Sequence, residues 1–225
     1  MASINTCPVI TVDGPSGVGK GTLSQYLTCK TQFHLLDSGA IYRALAYGAV
    51  KQNLDVQDVP ALVALAESLP VEFVATSILF DGEDVTSSVR TEEVAAVASK
   101  VAAIPEVRVA LLERQQAFAK SPGLVADGRD MGTVVFPDAE VKLFLTASAE
   151  IRAERRVKQL KNQGVSANIG QIIQDIKERD ERDSNRSTSP LKPADDAVVI
   201  DTSDLNIEQV CQRAEQILRD KRLLP

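Results

Sequence analysis

A glycine-rich turn directly after an apolar strand constrains this chain more than any other feature of its sequence. The preceding run, Pro8–Asp13, is short, β-branched and nearly all apolar, as is typical of a strand buried in a parallel sheet. The turn fits the pattern G-x-x-x-x-G-K and comprises Gly14, Pro15, Ser16, Gly17, Val18, Gly19, Lys20, Gly21 and Thr22. Its glycines allow backbone N–H groups to surround phosphate oxygens, and Lys20 can reach the β- and γ-phosphates. The sequence therefore predicts a phosphate loop that opens a helix.

One position departs from the general motif. Gly21 stands where a serine or threonine is usual, and Thr22 comes one residue later. This difference argues against direct ligation of Mg²⁺ by a loop hydroxyl. An ordinary glycine turn between strand and helix is the alternative, but the spacing, the lysine and the flanking elements disfavour it. The motif indicates phosphate binding without giving the reaction class, because GTPases, motors, transporters and small-molecule kinases share it.

Strands and helices alternate along the 225 residues, which predicts an α/β fold with a parallel sheet and right-handed crossovers. This length suggests one domain, or one core with an inserted subdomain. The predicted core strands are 8–13, 33–37, 123–127, 141–146 and 196–200. The predicted helices run to about Lys30, from Ser38 as cap to Lys51, and over 58–69, 91–120 with a break at Pro105, 149–162, 168–183 and 206–222. A small antiparallel patch is predicted from 71–76 and 78–85, with a turn at Asp81-Gly82.

Composition excludes several classes of protein. The net charge of −6 and the pI of about 5.0 argue against a protein that coats nucleic acid. Three widely spaced cysteines favour a reducing compartment over a disulfide framework or a zinc site. Without a recognisable signal peptide or membrane span, we expect a cytoplasmic protein with no membrane partner. The single histidine, His34, excludes mechanisms that need two.

Arginines concentrate in the C-terminal third of the chain. Six of them lie between positions 152 and 186, and others precede them: Arg152, Arg155, Arg156, Arg179, Arg182 and Arg186, after Arg43, Arg108 and Arg129. A guanidinium binds phosphate bidentately, so arginines beside a phosphate loop suggest a clamp around two phosphorylated substrates.

Asp127 ends an apolar strand, as a Walker-B-type acid would, although a turn-forming acid is the alternative. The interleaved lysines are read as a solvated helix face.

Four segments together resemble the bacterial cytidylate kinase family. They are the phosphate loop, Leu36–Arg43 (LDSGAIYR), Asp127–Thr133 (DGRDMGT) and Arg179–Arg186 (RDERDSNR). The first is shared by many nucleoside monophosphate kinases, and the other three are far more specific. The resemblance implies a three-layer P-loop kinase with a five-stranded parallel sheet in a single domain, an acceptor-binding insert at about 59–91 and a mobile lid at about 152–168. It also implies transfer of the γ-phosphoryl group of ATP to CMP or dCMP with Mg²⁺. We further expect a monomer with no nucleic-acid partner.

The same resemblance implies roles for individual residues. Lys20 would act on the donor phosphates, and Arg155 would come from the lid towards the transferred group. On the acceptor side, Ser38, Tyr42 and Arg43 would border the nucleotide, with Arg43, Arg129 and Arg186 on its phosphate. Ser99, Arg108 and Asp130 would face the cytosine, and Arg179 and Asp183 would hold the sugar hydroxyls. Lys20, Arg129, Arg155 and Arg186 would be the catalytic residues.

The proposed base readers make chemical sense on their own. A carboxylate such as Asp130 can accept from the cytosine N4 amino group, and Arg108 can donate to O2 and N3. Uracil would leave these groups opposed or unpaired. The alternative is that Arg108 and Asp130 form a structural ion pair.

Two other functions stay open at this stage. One is a related kinase for UMP, AMP or a non-nucleotide acceptor, against which the Arg108 and Asp130 interpretation argues in the case of UMP. The other is a regulatory or nucleic-acid-binding NTPase, which the acidic charge disfavours.

Overall fold

A computed structural model describes residues 7–74, 77–162 and 164–224. The strands are β1 Val9–Asp13, β2 His34–Asp37, β3 Val71–Val74, β4 Ser77–Phe80, β5 Glu83–Asp84, β6 Leu124–Asp127, β7 Val141–Thr146 and β8 Val198–Asp201. The α-helices are α1 Lys20–Thr31, α2 Ser38–Lys51, α3 Val59–Glu67, α4 Glu92–Val101, α5 Pro105–Gln116, α6 Ala149–Asn162, α7 Ile169–Ser184 and α8 Ile207–Asp220. A 3₁₀ turn, Ser88–Arg90, and a π-helical turn, Met131–Val135, complete the elements.

Five strands form one parallel sheet in the order β2-β6-β1-β7-β8. Strand β1 lies at its centre, where Val9 pairs with Leu124 of β6 and Ile10 with Val141 of β7. All five residues of β1 are buried, which explains the continuous apolar run, since a central parallel strand is covered on both faces. The predicted α/β fold with a five-stranded parallel sheet is confirmed.

The chain divides into two compact units. The first comprises residues up to 36 together with those from 118 onward and holds the parallel sheet. Its core is made by side chains of the sheet, α1 and α8, and includes Ile10, Val12, Leu23, Leu27, Val125, Leu143, Leu145, Ile200, Val210, Ala214 and Leu218. Burial of these aliphatic groups supplies the main driving force for folding of this unit.

The second unit, 37–117, contains α2 to α5 and an antiparallel sheet of β3, β4 and β5. The predicted antiparallel patch is present, with its turn at Asp81 and Gly82. Residues 75 and 76, the end of the first predicted strand, lie outside the described residues. Gly48 of α2 packs against the Phe80 ring, which an added Cβ would approach to 2.7 Å. The helical sequence 91–120 breaks before Pro105 as predicted.

The predicted cap of α2 is wrong by one residue. Asp37 is the capping residue, and its Oδ1 accepts a hydrogen bond of 3.0 Å from the Ala40 N–H. Ser38 is already helical, and its hydroxyl donates elsewhere. Aspartate and serine cap about equally well, so the choice depends on which residue is extended.

No helix among the described residues is long and apolar enough to cross a membrane.

Candidate active site

The phosphate loop connects the central strand to α1, as predicted. Gly14, Gly17 and Gly19 have φ angles of 142°, 81° and 97°, a region that favours glycine. At Gly14 an added Cβ would lie 2.1 Å from the carbonyl oxygen of Leu145 in β7, so no larger residue fits. The sheet packing itself therefore requires the first glycine of the motif.

Lys20 begins α1 and is buried, with 7% of its surface exposed. Its Nζ donates a hydrogen bond of 2.9 Å to the Pro15 carbonyl across the loop. Burial, followed by the cation of Arg129, lowers the Lys20 pKa to about 7, although the carboxylates of Asp127 and Asp13 oppose the shift. An ammonium so poorly solvated is stabilised by any anion that enters the loop.

Arg152 supports the phosphate loop from α6. Its guanidinium forms a bidentate ion pair with Asp180 of α7, with one contact of 3.0 Å. The same group donates 3.2 Å to the Ser16 carbonyl in the loop and 3.0 Å to the Ala147 carbonyl. The sequence placed Arg152 in a phosphate clamp, whereas the structure gives this buried side chain protein partners on the phosphate loop, on the segment before α6 and on α7.

Arg155, predicted to come from a lid, lies on α6 one turn beyond the start of the predicted lid. It donates to Oγ1 of Thr202 at 3.1 Å and to the Thr202 carbonyl at 2.5 Å. Oγ1 of Thr202 also lies 3.3 Å from the Val18 carbonyl of the phosphate loop and 3.1 Å from the Thr146 carbonyl. Thr202, which the sequence did not single out, thus connects the predicted lid arginine to the loop. Gln163, inside the predicted lid, lies outside the described residues.

A buried carboxylate brings two predicted phosphate-binding arginines together. Asp183 of α7 is 2% exposed and accepts 3.2 Å from Nε of Arg129. It also accepts from Nη2 of Arg186, three residues further along the chain. Arg179 lies one turn before Asp183 and near enough to Lys20 for its charge to lower the lysine pKa. These predicted residues therefore gather in the first unit beside the phosphate loop.

Asp13, the last residue of β1, is a functional candidate that the sequence reasoning missed. Its Oδ1 accepts 2.9 Å from the Met131 N–H and its Oδ2 accepts 2.8 Å from the Gly132 N–H. Burial outweighs these two bonds and raises the Asp13 pKa to about 7, with a further contribution from the charge of Asp130. A charge at the end of an otherwise apolar strand was the available signal.

The remaining predicted acceptor residues lie in the second unit. Ser38, Tyr42 and Arg43 belong to α2, Ser99 to α4 and Arg108 to α5. The guanidinium carbon of Arg108 lies 5.6 Å from the centroid of the Tyr42 ring.

Several polar atoms of these acceptor residues have defined partners. Ser38 donates 2.7 Å to Gln115, and Arg108 Nη1 donates 3.0 Å to the Ala102 carbonyl. Arg43 Nη1 lies 3.3 Å from the Val89 carbonyl. The Ser99 hydroxyl is buried and has no hydrogen-bond partner in the part of the chain that the structure describes. A buried hydroxyl without a partner is costly in a structural core, so the Ser99 hydroxyl favours a ligand-binding role. Asp130, the other predicted base reader, precedes the π-helical turn of the first unit.

A cavity of about 850 Å³ opens beside the phosphate loop in the first unit. Gly17, Val18 and Gly19 form one wall, and Arg155 and Arg156 lie on another side. Its apolar surface comes from the start of α8 and the residues before it, namely Leu205, Ile207, Val210 and Cys211. A phosphate-binding loop that continues into a partly apolar cavity suits a nucleotide, whose phosphates are charged and whose base is flat and less polar.

Comparison with known proteins shows which families and structures this chain is similar to. A family model described as cytidylate kinase matches residues 10–220. The curated cytidylate kinases of Enterobacter sp. (strain 638) and Escherichia coli O1:K1 / APEC are each 56% identical over 221 residues, covering 96% of this chain and 97% of theirs. That of Klebsiella pneumoniae (strain 342) is 56% identical over 218 residues, covering 95% of this chain and 96% of its own. A solved gluconokinase from Sinorhizobium meliloti aligns over 96% of this chain and 93% of its own, with a TM-score of 0.45 and 13% identity.

Proposed function

The chain belongs to the cytidylate kinase family, and from that premise we propose that the protein transfers the γ-phosphoryl group of ATP to CMP or dCMP. The products would be ADP and CDP or dCDP, as a step of pyrimidine nucleotide metabolism. The near full-length family match carries this proposal. The phosphate loop and the Asp183 arginine cluster support it chemically.

The donor nucleotide would occupy the phosphate loop and the adjoining cavity. The N–H groups of residues 14–22 would surround the β- and γ-phosphates, and Lys20 would turn from the Pro15 carbonyl to the phosphate oxygens. The base would lie against the apolar wall that Ile207 and Val210 help to form. This arrangement would leave the γ-phosphoryl group beside Lys20, at the start of α1.

Mg²⁺ would accompany ATP, and the residues present fit it. Mg²⁺ in phosphoryl-transfer sites is bound by one or two carboxylates together with substrate phosphates. The carboxylate of Asp127 ends β6 beside α1, where its Oδ2 would lie 3.7 Å from a Cβ added at Gly21. Asp127 would thus hold the ion where Gly21 provides no hydroxyl, directly or through water. When bound, the ion neutralises charge on the phosphates.

By the family resemblance, Arg129, Arg186 and Arg43 would bind the acceptor phosphate. Asp183 holds the first two guanidinium groups, so their donors need little reorganisation when the phosphate arrives. Arg179 and Asp183 would also meet the sugar hydroxyls. Asp130, Ser99 and Arg108 would face the cytosine.

The chemistry would be an in-line attack by an acceptor phosphate oxygen on the γ-phosphorus of ATP. The nucleophile is already anionic near neutral pH, so a general base is not required, which agrees with a chain that has one histidine. Lys20, Arg129, Arg155 and Arg186 would neutralise the charge that spreads over the transferred group. Arg155 would have to leave Thr202 to do so, and closure of 152–168 would exclude water.

We also propose that the protein works in the cytoplasm as a monomer, without nucleic acid or a membrane as partner. The free thiols of Cys7, Cys29 and Cys211 suit a reducing compartment. The pI of about 5.0 disfavours binding to polyanionic nucleic acid.

Product analysis tests the proposed function. The protein is mixed with Mg-ATP and, separately, with CMP, dCMP, UMP or AMP. We expect ADP and the cytidine diphosphate to form in equal amounts with CMP or dCMP, and far less product with UMP or AMP. ATP hydrolysis that does not depend on CMP would contradict the proposal, as would a preference for UMP or AMP.

A further inference from the structure

A buried amide in the second unit fixes the direction of a neighbouring hydroxyl. Gln115 of α5 is 1% exposed. Its Oε1 accepts a hydrogen bond of 2.7 Å from the Ser38 hydroxyl, and its Nε2 donates 3.3 Å to the Leu111 carbonyl. Nothing in the sequence distinguished Gln115 from the exposed Gln116 beside it.

The two hydrogen bonds of Gln115 determine whether the Ser38 hydroxyl can donate to a ligand or only accept from it. The Leu111 carbonyl can only accept, so the amide nitrogen of Gln115 must face it and the amide oxygen must face Ser38. An amide oxygen also can only accept, so the one hydroxyl proton of Ser38 points to Gln115. Towards any ligand, the Ser38 oxygen therefore presents lone pairs and acts as an acceptor.

This hydroxyl and the Arg108 guanidinium belong to the same pair of helices. Ser38 and Tyr42 lie one turn apart on α2, and Gln115 and Arg108 lie two turns apart on α5, so each pair shares a helix face. Contacts join Ser38 to Gln115 and Tyr42 to Arg108. An acceptor oxygen and a donor guanidinium thus follow one another along the line where these side chains of α2 and α5 meet.

We propose that Gln115 is a positioning residue that makes Ser38 an obligatory acceptor and thereby favours cytosine over uracil. The edge of cytosine presents the N4 amino donor beside the N3 acceptor, which matches Ser38 followed by Arg108. Uracil presents O4, an acceptor, and N3–H, a donor, so both contacts become repulsive. The inference rests on the proposed function, because it assumes that Ser38 borders the acceptor base.

The test is the ratio of kcat/KM for CMP to kcat/KM for UMP, measured in wild type and variants. Gln115→Met keeps the side-chain length but removes the acceptor, so Ser38 can rotate and donate to O4. We expect the ratio to fall about tenfold, the effect of one lost hydrogen-bond preference. Gln115→Glu, kept protonated by its burial, can still accept from Ser38 and donate to the Leu111 carbonyl, and should retain the ratio. Gln116→Met is the matched control, with the same change at an exposed position of α5.

Ser38→Ala provides an independent arm, which holds even if Gln115→Met does not fold. It should also lower the ratio, and adding Gln115→Met to it should change the ratio no further, because Gln115 acts only through the Ser38 hydroxyl. An unchanged ratio in Gln115→Met or in Ser38→Ala would overturn the inference, as would a lost ratio in Gln115→Glu. If wild type itself showed no preference for CMP over UMP, the proposed function would fall first, and the inference with it.

Discussion

The carboxylate of Asp13 accepts a hydrogen bond of 2.9 Å from the backbone N–H of Met131, 118 residues further along the chain. A second bond of 2.8 Å joins it to the Gly132 N–H. Asp13 is the residue immediately before the phosphate loop, and Met131 follows the predicted base reader Asp130. One buried side chain therefore fixes the end of the central strand to the loop that carries Arg129 and Asp130.

Asp13→Asn should change the pH dependence of stability. Burial raises the Asp13 pKa to about 7 from an unfolded value of 3.8, so between these values the folded protein binds more protons than the unfolded chain. The stability of wild type relative to the variant should therefore fall by about 1 kcal/mol or more as the pH rises from about 4 to about 7, and then level off. Urea denaturation of both proteins across this range measures the difference. A difference that rises with pH would contradict the burial of an ionisable Asp13.

Lys20 should take up a proton when ATP binds. Its pKa of about 7 leaves it mostly neutral at about pH 8, where free ATP is already deprotonated. Bound phosphates favour the charged ammonium and raise the pKa, so binding should draw up to about one proton from the buffer. Calorimetry in buffers of different ionisation enthalpy measures this number. Lys20→Arg, which stays charged, should bind ATP with little uptake, and equal uptake in both proteins would assign the proton to another group.

Much of the fold was predictable because its determinants are local. A parallel strand buried on both faces needs a largely apolar sequence, which β1 and β6 have before their terminal aspartates and β7 has over residues 143–145. Proline likewise marks the start of α5. The cap of α2 could not be chosen between Asp37 and Ser38, because either side chain can accept from the first turn.

The candidate site was less predictable, because the partners of its side chains are distant in sequence. Arg152 and Arg155 stand three residues apart on one helix and look alike in the sequence. Only the fold shows that the first pairs with Asp180 and the second lies on Thr202. Gln115 is found only through Ser38, 77 residues before it. The abundance of arginine indicated phosphate chemistry. Tertiary contacts alone show which of these arginines pairs with a carboxylate of the protein.

Arg152→Met should weaken both stability and ATP binding. The change leaves the carboxylate of Asp180 and the Ser16 carbonyl without this partner. Asp180 is 27% exposed, so water compensates in part, and we expect a loss of about 2 kcal/mol in the free energy of unfolding. The KM for ATP should rise about tenfold because the phosphate loop loses its contact with Arg152.

Asp180→Asn is the control, since it keeps an acceptor for Arg152 while removing the charge. It should lower the free energy of unfolding by less than Arg152→Met does. Arg152→Met with wild-type KM for ATP would show that the ion pair serves only the packing of α6 on α7.

Thr202→Val should loosen the phosphate loop while preserving the shape of the core. Thr202 is 1% exposed, so valine fills the same space. The change removes the hydroxyl near the Val18 carbonyl and one of the two contacts of Arg155. We expect a free energy of unfolding lower by about 1 kcal/mol because a buried carbonyl loses its partner, and a several-fold higher KM for ATP, with the KM for CMP nearly unchanged. Steady-state kinetics with each substrate varied in turn separates the two constants.

Thr202→Ser restores the hydroxyl and should return the KM for ATP towards wild type. If Thr202→Ser and Thr202→Val raised that KM equally, the missing methyl and not the hydroxyl would be responsible, and the link from Arg155 to the loop would carry no function.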